Sequence, residues 1–376
     1  MSRPIPVFNG LDEKDRQRLA QSILGAYSHA SEIVTKQADA EEESPEDQIG
    51  PTDEGPIEIP EHPHLIGLDP SVYRQINAAI QSGKQHLVLY GPPGTGKTEL
   101  ARHIASHLHE RWRMITGSAD WTSQDVIGGY QPVGEGQIRF VPGVLLQNFD
   151  RPLIIDELNR CDIDKAIGAL FTVLSGQPTT LPYRMDVSDI ESPAYMILPQ
   201  PKGNPAPNEF APKKGWRLIA TINSIDKAAL YQMSFALTRR FGWILVDAPR
   251  DHQGFVSEYL KRQNIISQEA TPTEDLPIAE IWRGVNSVRP IGAAPIIDLI
   301  QAVRIIDDSI DFMSKPNPTQ IGAYIDGFSM YLLPMLDGIL HQEAERIANS
   351  VINALGLPDE SQEARTIRHR LFELSV

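Results

Sequence analysis

The sequence predicts an α/β protein: a five-stranded parallel sheet covered by helices on both faces, carrying a hairpin insertion and followed by an all-helical unit. Three observations carry this. Five short apolar runs alternate with helical patterns between residues 85 and 250, and continuous hydrophobicity marks strands buried on both faces. The strand signal stops after Pro249, and beyond it apolar residues recur at three- and four-residue spacing. A glycine-rich turn ending in Lys-Thr joins the first strand to the next helix, at the edge where open α/β sheets bind ligands.

Composition bounds the answer. A chain of 376 residues exceeds one compact core and fits two or three units. With 41% hydrophobic and 22% charged residues it is an ordinary water-soluble globular chain, which excludes collagenous and wholly disordered classes. The single cysteine, Cys161, permits neither an internal disulfide nor a multi-thiolate metal site, so zinc fingers and iron–sulfur clusters are excluded and a reducing compartment is expected. No signal-peptide core and no apolar run of about 18 residues occurs, so a cytoplasmic protein without membrane contact is expected. Lys and Arg number 34 against 49 Asp and Glu, a net charge of −15 that repels polyanions on average. Residues 1–60 hold −8 of it, so the body is only mildly acidic.

Taken in order, residues 11–36 read as a helix, and the acidic, proline-rich run after it has too few apolar groups to fold. Together they form an N-terminal segment, 1–62, that is partly disordered. The α/β unit spans 63–250. Its first helix covers 72–80, and its strands are QHLVLY (85–90), RMITGS from Arg113, PLIID from Pro152, WRLIATIN from Trp216 and GWILVDAP from Gly242. Two insertions interrupt it. IGGYQPVGEGQIRFVPG alternates on both sides of Gly134-Glu135-Gly136 and reads as a hairpin. Residues 176–215 carry eight prolines, so no regular helix is expected there, and a structureless loop of that length is usually functional or mobile. Residues 251–376 form the helical unit.

The chemistry begins at Gly91-Pro92-Pro93-Gly94-Thr95-Gly96-Lys97-Thr98, which fits G-x-x-x-x-G-K-[ST] in a strand-to-helix context. Glycines let the backbone wrap phosphate oxygens so that N–H groups and the helix N-terminus face the anion. Lys97 bridges β- and γ-phosphates in this reading, and Thr98 offers its hydroxyl to Mg²⁺. Leu153-Ile154-Ile155-Asp156-Glu157 is an apolar strand ending in two carboxylates. Asp156, at the strand end, reaches a metal held by Thr98, and Glu157 serves as base or orienter for water. Asn223 ends another strand, where it either holds the attacking water or simply forms a turn. Arg239 and Arg240 precede the fifth strand; alone they would read as a solvated basic turn. His103, His107 and His109 lack an H-E-x-x-H arrangement, G-x-S-x-G is absent, and Cys161 reads as a small core residue.

The ordered set GPPGTGKT, LIIDELNR, IATINS and ALTRRF, with Ser287-Val288-Arg289 beyond it, resembles the AAA+ ATPases over about 63–340. The hairpin insertion before LIIDE resembles that of the helix-2-insert group, which includes McrB-like, MoxR-like and dynein-related members. IGGYQP and the tail segment YLLPMLDGILHQEAERI look more McrB-like than MoxR-like. The resemblance implies ATP and Mg²⁺ as cofactors, with Lys97 and Thr98 as ligands, Asp156 as metal carboxylate, Glu157 as catalytic base and Asn223 as sensor 1. It makes Arg240 a finger reaching the neighbouring subunit's γ-phosphate, with Arg239 a second contact, and so implies a homo-oligomeric ring, expected to be a hexamer. Arg289 takes the sensor 2 position at the start of a lid helix, and Ile66-Gly67 the place that contacts adenine. Tyr130, Arg139 and the 176–215 segment either line the ring's channel or are plain surface loops. The leading expectation is an ATP-hydrolysing ring motor working with a partner protein, with nucleic acid reached through channel loops or the partner. The alternatives are a MoxR-like chaperone and a nucleotide-gated scaffold.

Overall fold

The computed structural model describes residues 57–84, 86–134, 137–223 and 239–376. The expected helix at 11–36 and the acidic run up to residue 56 lie outside the described residues, as do the hairpin's turn centre at 135–136 and residues 224–238. In chain order the strands are β1 (His86–Gly91), β2 (Arg113–Thr116), β3 (Gly128–Pro132), β4 (Ile138–Pro142), β5 (Leu153–Asp156), β6 (Thr179–Arg184), β7 (Ala194–Ile197), β8 (Glu209–Phe210), β9 (Leu218–Asn223) and β10 (Phe241–Leu245). The helices of ten residues or more are α1 (Pro70–Gln81), α2 (Lys97–Leu108), α3 (His252–Arg262), α4 (Pro277–Asn286), α5 (Ala294–Ile306), α6 (Ile321–Tyr331), α7 (His341–Ala354) and α8 (Gln362–Glu373).

The five expected strands form one parallel sheet in the order β10-β1-β9-β5-β2. Alternation along each strand explains the unbroken apolar runs. Leu87, Leu89, Ile154, Ile219 and Ile244 pack towards α1 and α2, whereas Val88, Leu153, Ile155, Leu218 and Ala220 pack into the cluster on the opposite face. The helical unit has its own core around Trp282, Tyr324 and Phe328. Packing onto the sheet unit begins before residue 63: Ile59 is 1% exposed, and the Asn77 side chain bonds both its N–H (2.7 Å) and its carbonyl (3.0 Å).

The proline-rich segment corrects the expectation of a structureless loop. Residues 179–210 form a three-stranded sheet, β6-β7-β8, with β6 antiparallel and β8 parallel to β7. Prolines are compatible with it because β6, which holds Pro182, is an edge strand with a register irregularity between Thr180 and Arg184. This sheet packs on the β3–β4 hairpin, whose register pairs Tyr130 with Phe140. The Tyr130 hydroxyl accepts from the Arg184 N–H (2.5 Å) and donates to the Arg184 carbonyl (3.1 Å). The Phe140 ring lies 5.1, 4.6 and 5.7 Å from those of Tyr183, Tyr195 and Phe210. The two insertions are thus one arm.

Replacing a buried Phe by Ala typically costs about 3–5 kcal/mol. In Phe140→Ala that loss should fall on the arm, so limited proteolysis should cut within 176–215 faster while the parallel sheet keeps its far-UV circular dichroism. Unchanged cleavage would show that the insertions hold together without this ring.

Candidate nucleotide site

Because β1, β5 and β9 run parallel as neighbours, the loops leaving their C-terminal ends meet at one edge of the sheet. After β1 the chain turns through residues 91–96 into α2. Gly94 and Gly96 hold φ at 75° and 82°, the left-handed region that suits glycine, and Gly96 is the N-cap of α2. The free N–H groups of the first turn of α2 therefore open onto the loop. Thr95 Oγ1 donates to the Pro92 carbonyl at 3.1 Å. Lys97 is 6% exposed and lies back along the loop, its Nζ donating to the Gly91 (3.1 Å) and Pro92 (2.6 Å) carbonyls. Burial pushes its ammonium down to about 8, against the opposing pull of the Asp156 and Glu157 carboxylates.

Asp156 closes β5 beside this loop. Its Oδ1 accepts from Thr98 Oγ1 at 2.8 Å and from Thr221 Oγ1, in β9, at 2.5 Å. A hydroxyl and a carboxylate in contact are hard oxygen donors, and few protein ligands beside phosphate and water are what Mg²⁺ ordinarily takes. The residues present fit that ion. Glu157 follows with φ 50°, left-handed for a residue with a side chain, a strained conformation of the kind that collects at functional sites. Its N–H donates to the same Thr221 hydroxyl at 2.9 Å. The turn carries its carboxylate to Arg160 Nε (2.5 Å) and Asn223 Nδ2 (3.2 Å), and Asn223 N–H donates to Asn159 Oδ1 (3.4 Å).

Next to the loop lies a cavity of about 430 Å³, lined by Ile66 and Gly67, by Gly94, Thr95 and Gly96 of the loop, and by Phe255, Tyr259 and Ile297 of the helical unit. The expected phosphate, metal, base-contacting and sensor 1 residues thus fall together. The expected arginines fall elsewhere. Arg239 and Arg240 precede β10, whose register sets Phe241 against His86 and Leu245 against Tyr90. They stand at the opposite end of the sheet from the loop, about 16 Å away for a five-residue strand at 3.3 Å per residue. There Arg240 Nε donates to Ser175 Oγ (2.7 Å), and its guanidinium lies 6.0 Å from the Phe171 ring centre. Lys84 Nζ donates to the Arg239 carbonyl at 2.7 Å. Arg289 follows the end of α4 rather than opening a helix, and its Nη1 donates to the Met335 carbonyl at 2.7 Å, inside the helical unit. Cys161 is buried with its thiol against the Leu158 carbonyl, and burial pushes its pKa up to about 11, so it stays a thiol.

Residues 86–241 match the AAA domain of the dynein-related subfamily. The chain carries an AAA domain. Relatives agree at modest identity. The Escherichia coli K12 type IV methyl-directed restriction enzyme EcoKMcrB subunit is 26% identical over 208 residues, half of this chain and 40% of that protein. The uncharacterized protein YojN of Bacillus subtilis 168 is 28% identical over 272 residues, 69% of this chain and 79% of that one. The Holliday junction branch migration complex subunit RuvB of Prochlorococcus marinus MIT 9312 is 30% identical over 105 residues, 28% of each chain. The AAA domain fold is the five-stranded sheet with its helices, and no helix among the described residues is long and apolar enough to cross a membrane.

Three site residues of this AAA domain went unread in the sequence. Thr221 is the polar residue inside an apolar strand, two positions before Asn223 and so on the same face, a signal that period two supplies. Arg160 sits three residues after Glu157, within reach on one helical turn. Asn159 carried no signal of its own.

The lowered Lys97 value fixes a pH dependence. A polyphosphate takes the ammonium form, which is already the majority below about 8 and must be made by proton uptake above it. Affinity for a magnesium–nucleoside triphosphate, titrated from pH 7 to 9.5, should be flat up to about 8 and then weaken towards tenfold per unit. A flat profile up to 9.5 would show that Lys97 is not perturbed, or not a ligand.

Proposed function

We propose that this chain is the ATP-hydrolysing subunit of an AAA+ ring motor, of McrB-like type, that remodels or translocates a macromolecule with a partner protein. One observation carries the hydrolytic part: two adjacent carboxylates are divided in task, Asp156 held against the Thr98 hydroxyl and Glu157 turned by a strained backbone to Asn223. Backbone N–H groups of the 91–98 loop hold the phosphates, and Lys97 gives up its loop carbonyls for phosphate oxygens. Thr98 and Asp156 would hold Mg²⁺, which when bound would neutralise charge developing on the phosphates. Glu157 takes the proton from the attacking water, which Asn223 orients. Ile66 and Gly67 meet the base.

Arg240, with Arg239 beside it, acts on the triphosphate of an adjacent subunit, since its own loop lies across the full length of β1. A finger of this kind needs a ring, which we take to be a hexamer. The arm, with Tyr130 and Arg139 on its hairpin, faces the channel. The net charge of −15 opposes direct affinity for nucleic acid, so a nucleic-acid role of the kind named for the restriction subunit would run through the partner.

Complementation tests the ring. An arginine finger contributes about 10³–10⁵ in rate, so Arg240→Ala subunits should bind ATP but hydrolyse almost none, and Lys97→Ala subunits should be inactive for lack of a cradle. In mixed assemblies an intact finger meets an intact cradle, and partial phosphate release should return. Co-assembled rings, verified by sedimentation, that stay as inactive as their parents would overturn the trans assignment.

A further inference from the structure

The helical unit touches the phosphate loop backbone to backbone. The connection between α4 and α5 places the Gly292 N–H on the Pro93 carbonyl at 2.8 Å and the Ala294 N–H on the Gly94 carbonyl at 3.0 Å. The approach leaves no space for a side chain. A Cβ at Gly292 would stand 2.2 Å from the carbonyl carbon and oxygen of Gly94 and 2.4 Å from the Thr95 nitrogen, and one at Gly94 would stand 2.7 Å from Pro295 Cδ. The connection is itself fixed to its own unit: Trp282 Nε1 donates to the Ile291 carbonyl (3.1 Å), the Ile291 N–H donates to Asn286 Oδ1 (2.9 Å), and the Ile291 side chain is fully buried.

A trans peptide is planar, with its C=O and N–H pointing opposite ways. The Pro93 carbonyl shares a plane with the Gly94 N–H, and the Gly94 carbonyl shares one with the Thr95 N–H. Two carbonyls turned to the helical unit therefore turn two N–H groups away from it, into the cradle where a loop of this type receives phosphate. We propose that Gly292 is a positioning residue for triphosphate: by seating the helical unit on the Pro93 and Gly94 carbonyls it sets the two peptide planes whose N–H groups face the phosphates. The contact rests on the nucleotide reading above and ties occupancy of the cradle to the position of the helical unit. It does so through main chain, while the Arg289 guanidinium is engaged with Met335.

The test uses the full chain with Mg²⁺ and two probes: a fluorescent ATP analogue, and inorganic tripolyphosphate as competitor. Gly292→Ala should weaken both by about tenfold or more, the loss expected from two misdirected hydrogen bonds. Gly322→Ala, which adds a methyl to open space on α6, should match wild type with both probes. A Gly292→Ala protein that loses the ATP analogue but keeps wild-type tripolyphosphate affinity would overturn the proposal, since the damage would then lie in the base cavity. Wild-type affinity for both overturns it outright. Should Gly292→Ala fail to fold, hydrogen exchange on the unaltered protein decides: slow amides at Gly292 and Ala294 without nucleotide are expected, and free exchange there overturns the contact. A wild-type protein that binds neither probe instead sinks the nucleotide reading, and this proposal with it.

Discussion

One carboxylate oxygen holds the site together. Asp156 Oδ1 accepts from the hydroxyls of Thr98 and Thr221, so the first turn of α2, the end of β5 and the end of β9 are tied at a single atom. Hydrogen bonds to a charged group contribute about 1.5–3 kcal/mol each, enough to fix three elements that the chain brings from 123 positions apart. The same Thr221 hydroxyl receives the Glu157 N–H, so the position of Glu157 follows from that of Asp156. The sheet order makes this possible. β9 lies between β1 and β5, and its Thr221 hydroxyl bonds Asp156 at the end of β5. Adjacent residues on a strand point to opposite faces of the sheet; the left-handed step at Glu157 departs from that alternation and carries its carboxylate to Asn223.

Strand length sets a second constraint. The cradle occupies the C-terminal edge of the sheet and the arginine pair the N-terminal edge, joined by the five paired residues of β1 and β10. A rigid parallel sheet cannot fold one edge onto the other, so Arg239 and Arg240 cannot reach the 91–98 loop of their own chain. The ring proposed above would set one subunit's arginine edge against its neighbour's cradle. Ser175 Oγ and the Phe171 ring hold Arg240 in place on that edge, in a cavity of about 400 Å³ that also receives Lys84.

Much of this was legible because it is local. The five strands could be read because burial on both faces leaves unbroken apolar runs, and the phosphate loop because its spacing is dictated by backbone geometry. What escaped reading depends on tertiary partners. The 176–215 segment is polar and proline-rich, and its order comes from Tyr130 and Phe140 of another insertion, which no local pattern encodes. Arg289 was assigned by position in a motif, but Pro290 ends the helical geometry and the side chain finds the Met335 carbonyl instead. Ile59 looked like part of an acidic tail, although one apolar residue with an Asn77 clamp suffices to seat it on the core. Gly292 carries no motif at all. Its signal is steric, and only the facing backbone reveals it.

The proposed hydrolysis divides its tasks between Asp156 and Glu157, and the Glu157→Gln variant tests that division most directly. The amide keeps the side chain's shape and its place beside Asn223 but cannot accept the water's proton. Nucleotide affinity and steady-state phosphate release, measured on the same preparation, should show binding within about twofold of wild type and turnover reduced by at least the 10²–10⁴ typical of a lost general base. Wild-type turnover in that variant would contradict the account, because the residue turned towards Asn223 would then have no part in hydrolysis.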